Sequence, residues 1–359
     1  MSRPTKVTIN LAALKHNLDR VRHYAPQSKV LAVLKANAYG HGLTRVALAL
    51  SKADVFGVCC IEEALELRAV GIKKAILLME GFFTADELPV IVSNQFETVI
   101  HHWPQIIALE QATLSAPIRV WLKLDSGMHR LGFSPSEFLS AWQRLSRCPN
   151  VQQPPILMTH FASSDELKNP ATDSQLLCFN KTVDDLPGQR SLANSAAILA
   201  RPETRADWVR AGIMLYGISP FSELAGQDYA LQPAMTFSSE LIAIHSIKKG
   251  QSIGYGGIWQ CPEDMPVGVI AVGYGDGYPR QAKNFTPVLV NGKILPLIGR
   301  VSMDMVTVDL RAQPQAGVGD PVVLWGEGLP VEKVAACADT IAYELVCGLS
   351  KRVRVQESK

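Results

Sequence analysis

The feature that most constrains the fold is an alternation of short apolar runs with segments of helical periodicity, repeated eight times between residues 30 and 216. This alternation is typical of parallel strands joined by helices, and eight repeats predict an α/β chain with a (β/α)8 TIM-type barrel. A doubly wound open sheet alternates in the same way, so the pattern leaves closure open. The apolar runs cover residues 30–34, 55–61, 75–79, part of 90–100, 118–124, 156–160, 191–193 and 209–216, and the helical segments cover 44–52, 61–69, 105–112, 135–145 and 173–186.

From about residue 233 the apolar runs become shorter, rich in β-branched residues and interrupted by Gly or Pro. Asn291-Gly292 separates two of these runs, and this dipeptide is typical of the type I′ turn of a β-hairpin. We therefore expect the barrel over residues 8–232, followed by a mainly β C-terminal domain over 233–359. The N-terminal strand, residues 1–7, is expected to join the β domain.

The composition argues against several classes of partner. A net charge of +2 with scattered charges offers neither a basic stripe for nucleic acid nor a polybasic patch for a membrane surface. No apolar stretch approaches the ~20 residues of a membrane span, and the first residues lack the core of a signal peptide. Seven cysteines, with Cys59 next to Cys60 and no Cys-x-x-Cys, suit neither a disulfide framework nor a zinc site. We expect a cytoplasmic protein without a metal.

Lys35 ends the first apolar run, and a loop of small residues carrying Tyr39 and His41 follows it. An unbroken apolar run suggests a strand buried on both faces, which would deliver the amine of Lys35 to the end of the barrel where active sites lie. The other interpretation is a solvated lysine that merely ends the strand. The small residues favour the first, because they let the backbone approach a ligand closely.

The ends of the last two barrel strands offer donors for an anion. Asn194-Ser195 could open a helix with unpaired N–H groups, and Arg210 to Ile213 add backbone donors. Barrels often hold phosphate at these two strands. A lysine at the first strand opposite such a site suggests a phosphorylated aldehyde cofactor. Pyridoxal phosphate fits, because its aldehyde needs an amine and its phosphate needs an anion pocket.

The segment AVLKANAYGHG, residues 32–42, resembles the cofactor-lysine signature of the bacterial alanine racemases. Similar matches to that family run nearly from end to end of the chain, at residues 123–132, 159–162, 193–196, 253–256, 273–278 and 299–304. So many matches in order are specific to the family. The resemblance implies a pyridoxal 5'-phosphate-dependent isomerase that interconverts L-alanine and D-alanine. It also implies a homodimer with shared active sites.

The resemblance further implies a role for individual residues. Lys35 would hold the cofactor through an imine and act as one catalytic base, and Tyr255 of the second subunit would be the base on the opposite face. The cofactor would be bound by Tyr39, His160, Asn194, Ser195, Arg210, Gly212 and Ile213. The substrate carboxylate would be bound by Arg130 and Met303, with Lys123, Tyr274, Asp304 and Tyr343 in supporting positions. The lysine that matches Lys123 is carbamylated in many members of the family.

Two alternatives remain at this level. The same machinery could act on serine, lysine or a broader set of amino acids, or decarboxylate a basic one, although the acidic and cysteine-bearing motifs expected of a decarboxylase are missing from the C-terminal half. A non-catalytic pyridoxal-phosphate-binding barrel is disfavoured, because such single-domain proteins have no counterpart of Tyr255.

The biological role is also left open by the sequence. The product could serve peptidoglycan synthesis, or the enzyme could catabolise alanine.

Overall fold

The structure is a computed structural model that describes residues 3–358. Its strands, labelled in chain order, are β1 Lys6–Asn10, β2 Lys29–Val33, β3 Val55–Val58, β4 Ile76–Leu78, β5 Phe96–Ile100, β6 Ile118–Lys123, β7 Val151–Met158, β8 Arg190–Ser191, β9 Trp208–Ala211, β10 Met235–Ile247, β11 Ser252–Ile253, β12 Trp259–Gln260, β13 Met265–Ile270, β14 Pro287–Val290, β15 Lys293–Ile298, β16 Val306–Asp309, β17 Pro321–Trp325 and β18 Arg354–Ser358.

Strands β2 to β9 form a closed parallel barrel, in which β9 pairs back to β2. The strands are short and apolar on both faces: Val30, Leu31 and Ala32 of β2 are each fully buried. Closure is visible in the register, because Val30 lies opposite Val209 while Leu31 of the same strand lies opposite Val55. The predicted (β/α)8 barrel is confirmed, and the open-sheet alternative is wrong.

The α-helices lie at Leu11–Tyr24, Leu43–Ala49, Ile61–Ala69, Leu88–Ser93, Trp103–Gln111, Pro135–Arg147, Ala171–Val183, Ser195–Ala200, Val331–Cys337 and Ala342–Cys347. Shorter 3₁₀ segments lie at Ala85–Glu87, Pro202–Thr204, Ile213–Tyr216, Gly226–Tyr229, Tyr255–Gly257 and Tyr274–Asp276. The start of the helix Pro135–Arg147 is set by a capping box, in which the side chain of Glu137 accepts the backbone N–H of Ser134. None of the described helices is long and apolar enough to cross a membrane.

The last barrel strand is shorter than the sequence predicted. The apolar run 209–216 was expected to be one strand, but β9 ends at Ala211 and the chain continues as the 3₁₀ segment Ile213–Tyr216. The Leu215 N–H donates to the Gly212 carbonyl, 2.9 Å away. An unbroken apolar run cannot distinguish a buried strand from a buried helical turn by periodicity alone.

The C-terminal part is a mainly β structure. Its large sheet has the order β13-β16-β15-β14-β17-β10-β1-β18, with β1 antiparallel to β10 and parallel to β18. The predicted hairpin at Asn291-Gly292 is confirmed: it joins β14 to β15, and the two residues have φ angles of 46° and 76°.

Two compact units can be separated by their internal contacts. One, the barrel unit, consists of residues 17–38 and 42–215; the other, the β unit, consists of residues 39–41, residues 216–358 and the described residues up to 16. Met1 and Ser2 of the predicted strand 1–7 lie outside the described residues, and β1 begins at Lys6. The predicted domain limits, 8–232 and 233–359, remain a prediction.

Candidate active site

Lys35 lies at the carboxyl end of β2 and is half-buried. The chain then makes a left-handed turn, in which Ala36, Asn37, Ala38 and Tyr39 have φ angles of 56°, 53°, 53° and 52°. A left-handed conformation costs an ordinary L-residue roughly 1–2 kcal/mol. The sequence predicted only a loop of small residues here, because nothing in its periodicity reports the sign of φ. The turn therefore stores strain immediately after the predicted cofactor lysine.

Arg210 of β9 is only 2% exposed and is held rigidly inside the barrel unit. Its Nη1 donates to the Ser191 hydroxyl at 2.8 Å, and its Nη2 donates to the carbonyls of Thr159 at 2.6 Å and Leu192 at 3.0 Å. Burial lowers its pKa to about 10, which leaves the guanidinium charged at neutral pH. Its buried Nε has no hydrogen-bond partner among the described residues. The site thus offers one unpaired, charged N–H donor for a ligand.

His160 follows β7 and lies beside Arg210. Its Nδ1 is 3.2 Å from Arg210 Nη2. Because the guanidinium can only donate, we assign Nδ1 as an acceptor that shares an Nη2 hydrogen with one of the two carbonyls, and Nε2 as the protonated nitrogen. Burial, and then the positive charges of Arg210, Lys123, Arg130 and Lys35, hold the pKa of His160 well below its usual value. The imidazole is therefore neutral.

Lys123 ends β6 and is 7% exposed. Burial, followed by the charges of Arg210, Arg130 and Lys35, lowers its pKa to about 7, and Asp125 opposes this only in part. The Asp125 Oδ1 atom accepts three backbone N–H groups instead, from Gly127, Met128 and His129 at 3.0 Å each. This end of the barrel unit is thus electropositive, which suits an anionic ligand.

The ends of β8 and β9 meet at Ser195. Its hydroxyl accepts the Gly212 N–H at 2.9 Å, and Ile213, the next residue, is buried. Asn194 caps the helix Ser195–Ala200: its Oδ1 accepts the Ala197 N–H at 3.1 Å and the Ser164 hydroxyl at 2.8 Å. A hydroxyl, backbone N–H groups and a helix start in one place fit a phosphate group.

Of the predicted site residues, the barrel unit brings Lys123, His160 and Arg210 together, with the charges of Lys35 and Arg130 acting on them. Asn194, Ser195, Gly212 and Ile213 form the adjoining anion cradle. An unpaired Arg210 Nε, a half-buried lysine amine and this cradle match the three needs of pyridoxal phosphate: a donor for its ring nitrogen, an amine for its aldehyde and N–H groups for its phosphate. The residues present therefore fit the cofactor.

The remaining predicted residues belong to the β unit. Tyr39 is 9% exposed, and its ring centroid lies 4.8 Å from that of Tyr216 and 6.0 Å from that of Tyr343. Burial raises its pKa above the ordinary value, so the phenol stays protonated and can donate a hydrogen bond. By contrast, Tyr255, Met303 and Tyr274 are 69%, 52% and 39% exposed.

An ion-pair network connects the loops of Tyr274, Met303 and Asp304. Asp276 is 1% exposed and pairs with Arg3 and with Arg352, both at 2.8 Å. Arg352 also pairs with Asp304 at 2.8 Å and donates to the Met303 carbonyl at 3.2 Å. No sequence pattern pointed to Arg3 or Arg352, while Asp276 lies inside a segment that matched the family, 273–278, without an assigned role.

Fold and site together define a barrel enzyme that uses pyridoxal 5'-phosphate. Residues 9–220 match the family model of the alanine racemase N-terminal domain, and residues 234–356 match that of the C-terminal domain. The chain is 54% identical to an alanine racemase of Vibrio parahaemolyticus over 354 residues, 99% of each chain. It is 52% identical to the biosynthetic alanine racemase of Escherichia coli over 351 residues, 98% of each.

Solved structures agree with these relatives. The biosynthetic alanine racemase of Pseudomonas aeruginosa superimposes with a TM-score of 0.96 at 45% identity, covering 99% of this chain and all of the other. The chain belongs to the alanine racemase family. It is an isomerase that interconverts L-alanine and D-alanine with pyridoxal 5'-phosphate as its cofactor.

Proposed function

We propose that Lys35 and Tyr255 are the two bases of racemisation, that each active site is shared between two copies of the chain, and that the enzyme supplies D-alanine in the cytoplasm. The observation that carries the proposal is a contrast in exposure. Lys35 is half-buried among cations in the barrel unit, whereas Tyr255 is 69% exposed on the β unit. A base that is exposed on its own chain is available to a site on a second one.

Racemisation removes the α-hydrogen from one face of the substrate and returns a hydrogen to the other, so a single base on one side is poorly placed to serve both faces. When bound, pyridoxal phosphate withdraws electrons from the substrate's α-carbon and makes its hydrogen acidic. The Lys35 amine would move the proton on one face, and the Tyr255 hydroxyl would move it on the other. Arg210 would donate its Nε hydrogen to the ring nitrogen without giving up a proton, which limits electron withdrawal and suppresses side reactions.

The other residues would bind and orient. Tyr39, Asn194, Ser195, Gly212 and Ile213 would hold the phosphate, and His160 would lie against the ring. Arg130 and the Met303 backbone N–H would hold the substrate carboxylate, while Tyr274, Tyr343 and Asp304 would shape the entrance.

Lys123 would support Arg130. With a pKa of about 7, a large share of its amine is neutral at physiological pH, and a neutral amine is the form that adds carbon dioxide. A carbamate on Lys123 would replace a buried cation by an anion and so balance the charges of Arg130 and Arg210.

The names of the relatives support a biosynthetic role. Two of them, from Escherichia coli and Pseudomonas aeruginosa, are called biosynthetic. We therefore favour supply of D-alanine for peptidoglycan over catabolism of alanine.

The test is a chiral assay on Lys35→Ala and Tyr255→Phe with alanine, serine and lysine as substrates. We expect Lys35→Ala to lose racemase activity and the covalent cofactor attachment that borohydride traps. Tyr255→Phe should lose about 10³-fold or more in kcat yet still exchange the α-hydrogen of one alanine enantiomer in D₂O, because Lys35 remains.

The matched controls are Lys52→Ala and Tyr24→Phe, which lie outside the site and should keep wild-type turnover. Wild-type-like racemisation by Tyr255→Phe would refute the two-base assignment. Faster turnover of serine or lysine than of alanine would favour the broader-specificity alternative.

A further inference from the structure

The reaction leaves unused a cluster of two thiols and a carboxylate at the carboxyl end of β3. The ligand atoms of Cys59, Cys60 and Glu63 all lie within 4.8 Å of one another, and all three residues are half-buried. Cys59 follows β3 directly after Val58, and Cys60 caps the helix Ile61–Ala69, so a sharp strand-to-helix turn brings the adjacent thiols to the carboxylate. The spacing Cys-Cys-x-x-Glu matches no zinc motif, which is why no metal site was expected from the sequence.

The carboxylate of Glu63 has two functions in this arrangement. Its Oε2 accepts the Cys59 N–H at 3.0 Å and the Cys59 thiol at 3.3 Å. Its Oε1 accepts the N–H of Asn37 at 3.3 Å. Asn37 is the second residue of the left-handed turn that follows Lys35. One carboxylate thus connects the thiol pair to the most strained backbone of the barrel unit.

We propose that Cys59, Cys60 and Glu63 form a binding site for a thiophilic divalent cation such as Zn²⁺, and that occupancy of this site lowers racemase activity. Zn–S and Zn–O bonds of about 2.3 and 2.1 Å place tetrahedral ligand atoms roughly 3.5–3.8 Å apart, so the three atoms need only small shifts. On binding, each thiol breaks its S–H bond, releases the proton to solvent and forms an S–metal bond, with no change of oxidation state. The exposed Glu62 carboxylate, which hydrogen-bonds to Cys60, or a water completes four ligands.

The effect on activity follows from the second function of Glu63. A bound cation draws the carboxylate towards the thiolates and away from the Asn37 N–H. The left-handed turn then loses a hydrogen bond that opposes its strain, and the position of Lys35 becomes less well defined. This step rests on the proposed role of Lys35, whereas cation binding itself does not.

The experiment titrates the untagged holoenzyme with Co²⁺ and with Zn²⁺. Co²⁺ bound to thiolates gives a charge-transfer absorption, so we expect this band to saturate at one ion per chain. Cys59→Ser and Cys60→Ser should weaken binding at least about tenfold. Cys178→Ser, which removes a half-buried thiol on another helix, is the matched control and should bind as the wild type does.

Glu63→Gln serves as a second variant, because its amide oxygen can still accept the Asn37 N–H while the anionic ligand is lost. It should bind Co²⁺ more weakly than the wild type, and Zn²⁺ should remove a smaller fraction of its own metal-free activity than it removes from the wild type. Racemase activity of the wild type should fall several-fold with Zn²⁺ and return after a chelator is added. No charge-transfer band, or a band that Cys178→Ser removes, would overturn the site; a band with undiminished activity would overturn its effect on racemisation.

Discussion

At the scale of single residues, the site is dominated by unbalanced positive charge. Lys123 and Arg210 are both buried, and each is a side chain that is rarely found buried unless it is paired. The sequence located both residues, because each ends or lies in an apolar run. It could not predict their charge state, since desolvation and neighbouring charges depend on residues far away along the chain.

The lowered pKa of Lys123 predicts how stability depends on pH. Between about pH 7 and pH 10, folded Lys123 has released a proton that the unfolded chain still holds. The unfolded state therefore binds more protons, and stability rises with pH in this window by on the order of 1 kcal/mol per pH unit. Lys123→Met should flatten this rise, as measured by urea unfolding of the apoprotein in buffer free of carbon dioxide.

The exposed Lys181→Met is the control for the pH experiment, and it should keep the rise because Lys123 is intact. A rise of equal steepness in Lys123→Met would contradict the assignment.

At the scale of elements, the sequence predicted what periodicity and turn chemistry encode. The apolar runs identified the eight barrel strands, and Asn291-Gly292 identified the hairpin. Sequence patterns did not predict the left-handed turn after Lys35, because Ala36 and Ala38 carry no side-chain signal for a positive φ. They also did not predict the ion pairs of Asp276, since Arg3 and Asp276 are 273 residues apart in the chain.

The strain in the left-handed turn predicts an unusual response to glycine. Ala36 is exposed and has a φ of 56°, so Ala36→Gly removes a steric cost in the folded state and should stabilise the protein by up to about 1 kcal/mol. Ala108→Gly, in the middle of the right-handed helix Trp103–Gln111, should instead destabilise by about 1 kcal/mol. Urea midpoints measure both, and destabilisation of similar size in the two variants would contradict the strain.

At the scale of the whole molecule, the proposed shared site predicts that two inactive variants restore one another. When equal amounts of Lys35→Ala and Tyr255→Phe chains are unfolded, mixed and refolded, half of the dimers are hybrids. Each hybrid has one site with both bases, so the mixture should recover about one half of one half, or a quarter, of wild-type activity.

The unmixed variants, refolded in parallel, are the controls for this experiment. A mixture no more active than they are would show that both bases come from one chain. The sequence alone could not decide the matter, because an exposed tyrosine is also an ordinary surface residue.

The position of β1 in the large sheet has a consequence for biosynthesis of the chain. β1 lies between β10 and β18, so it is synthesised long before its partner in residues 354–358. The barrel strands, by contrast, are all made once residue 211 has been added. The barrel can therefore begin to fold during translation, whereas Lys6–Asn10 must wait until residues 354–358 have been made before both of its edges are paired.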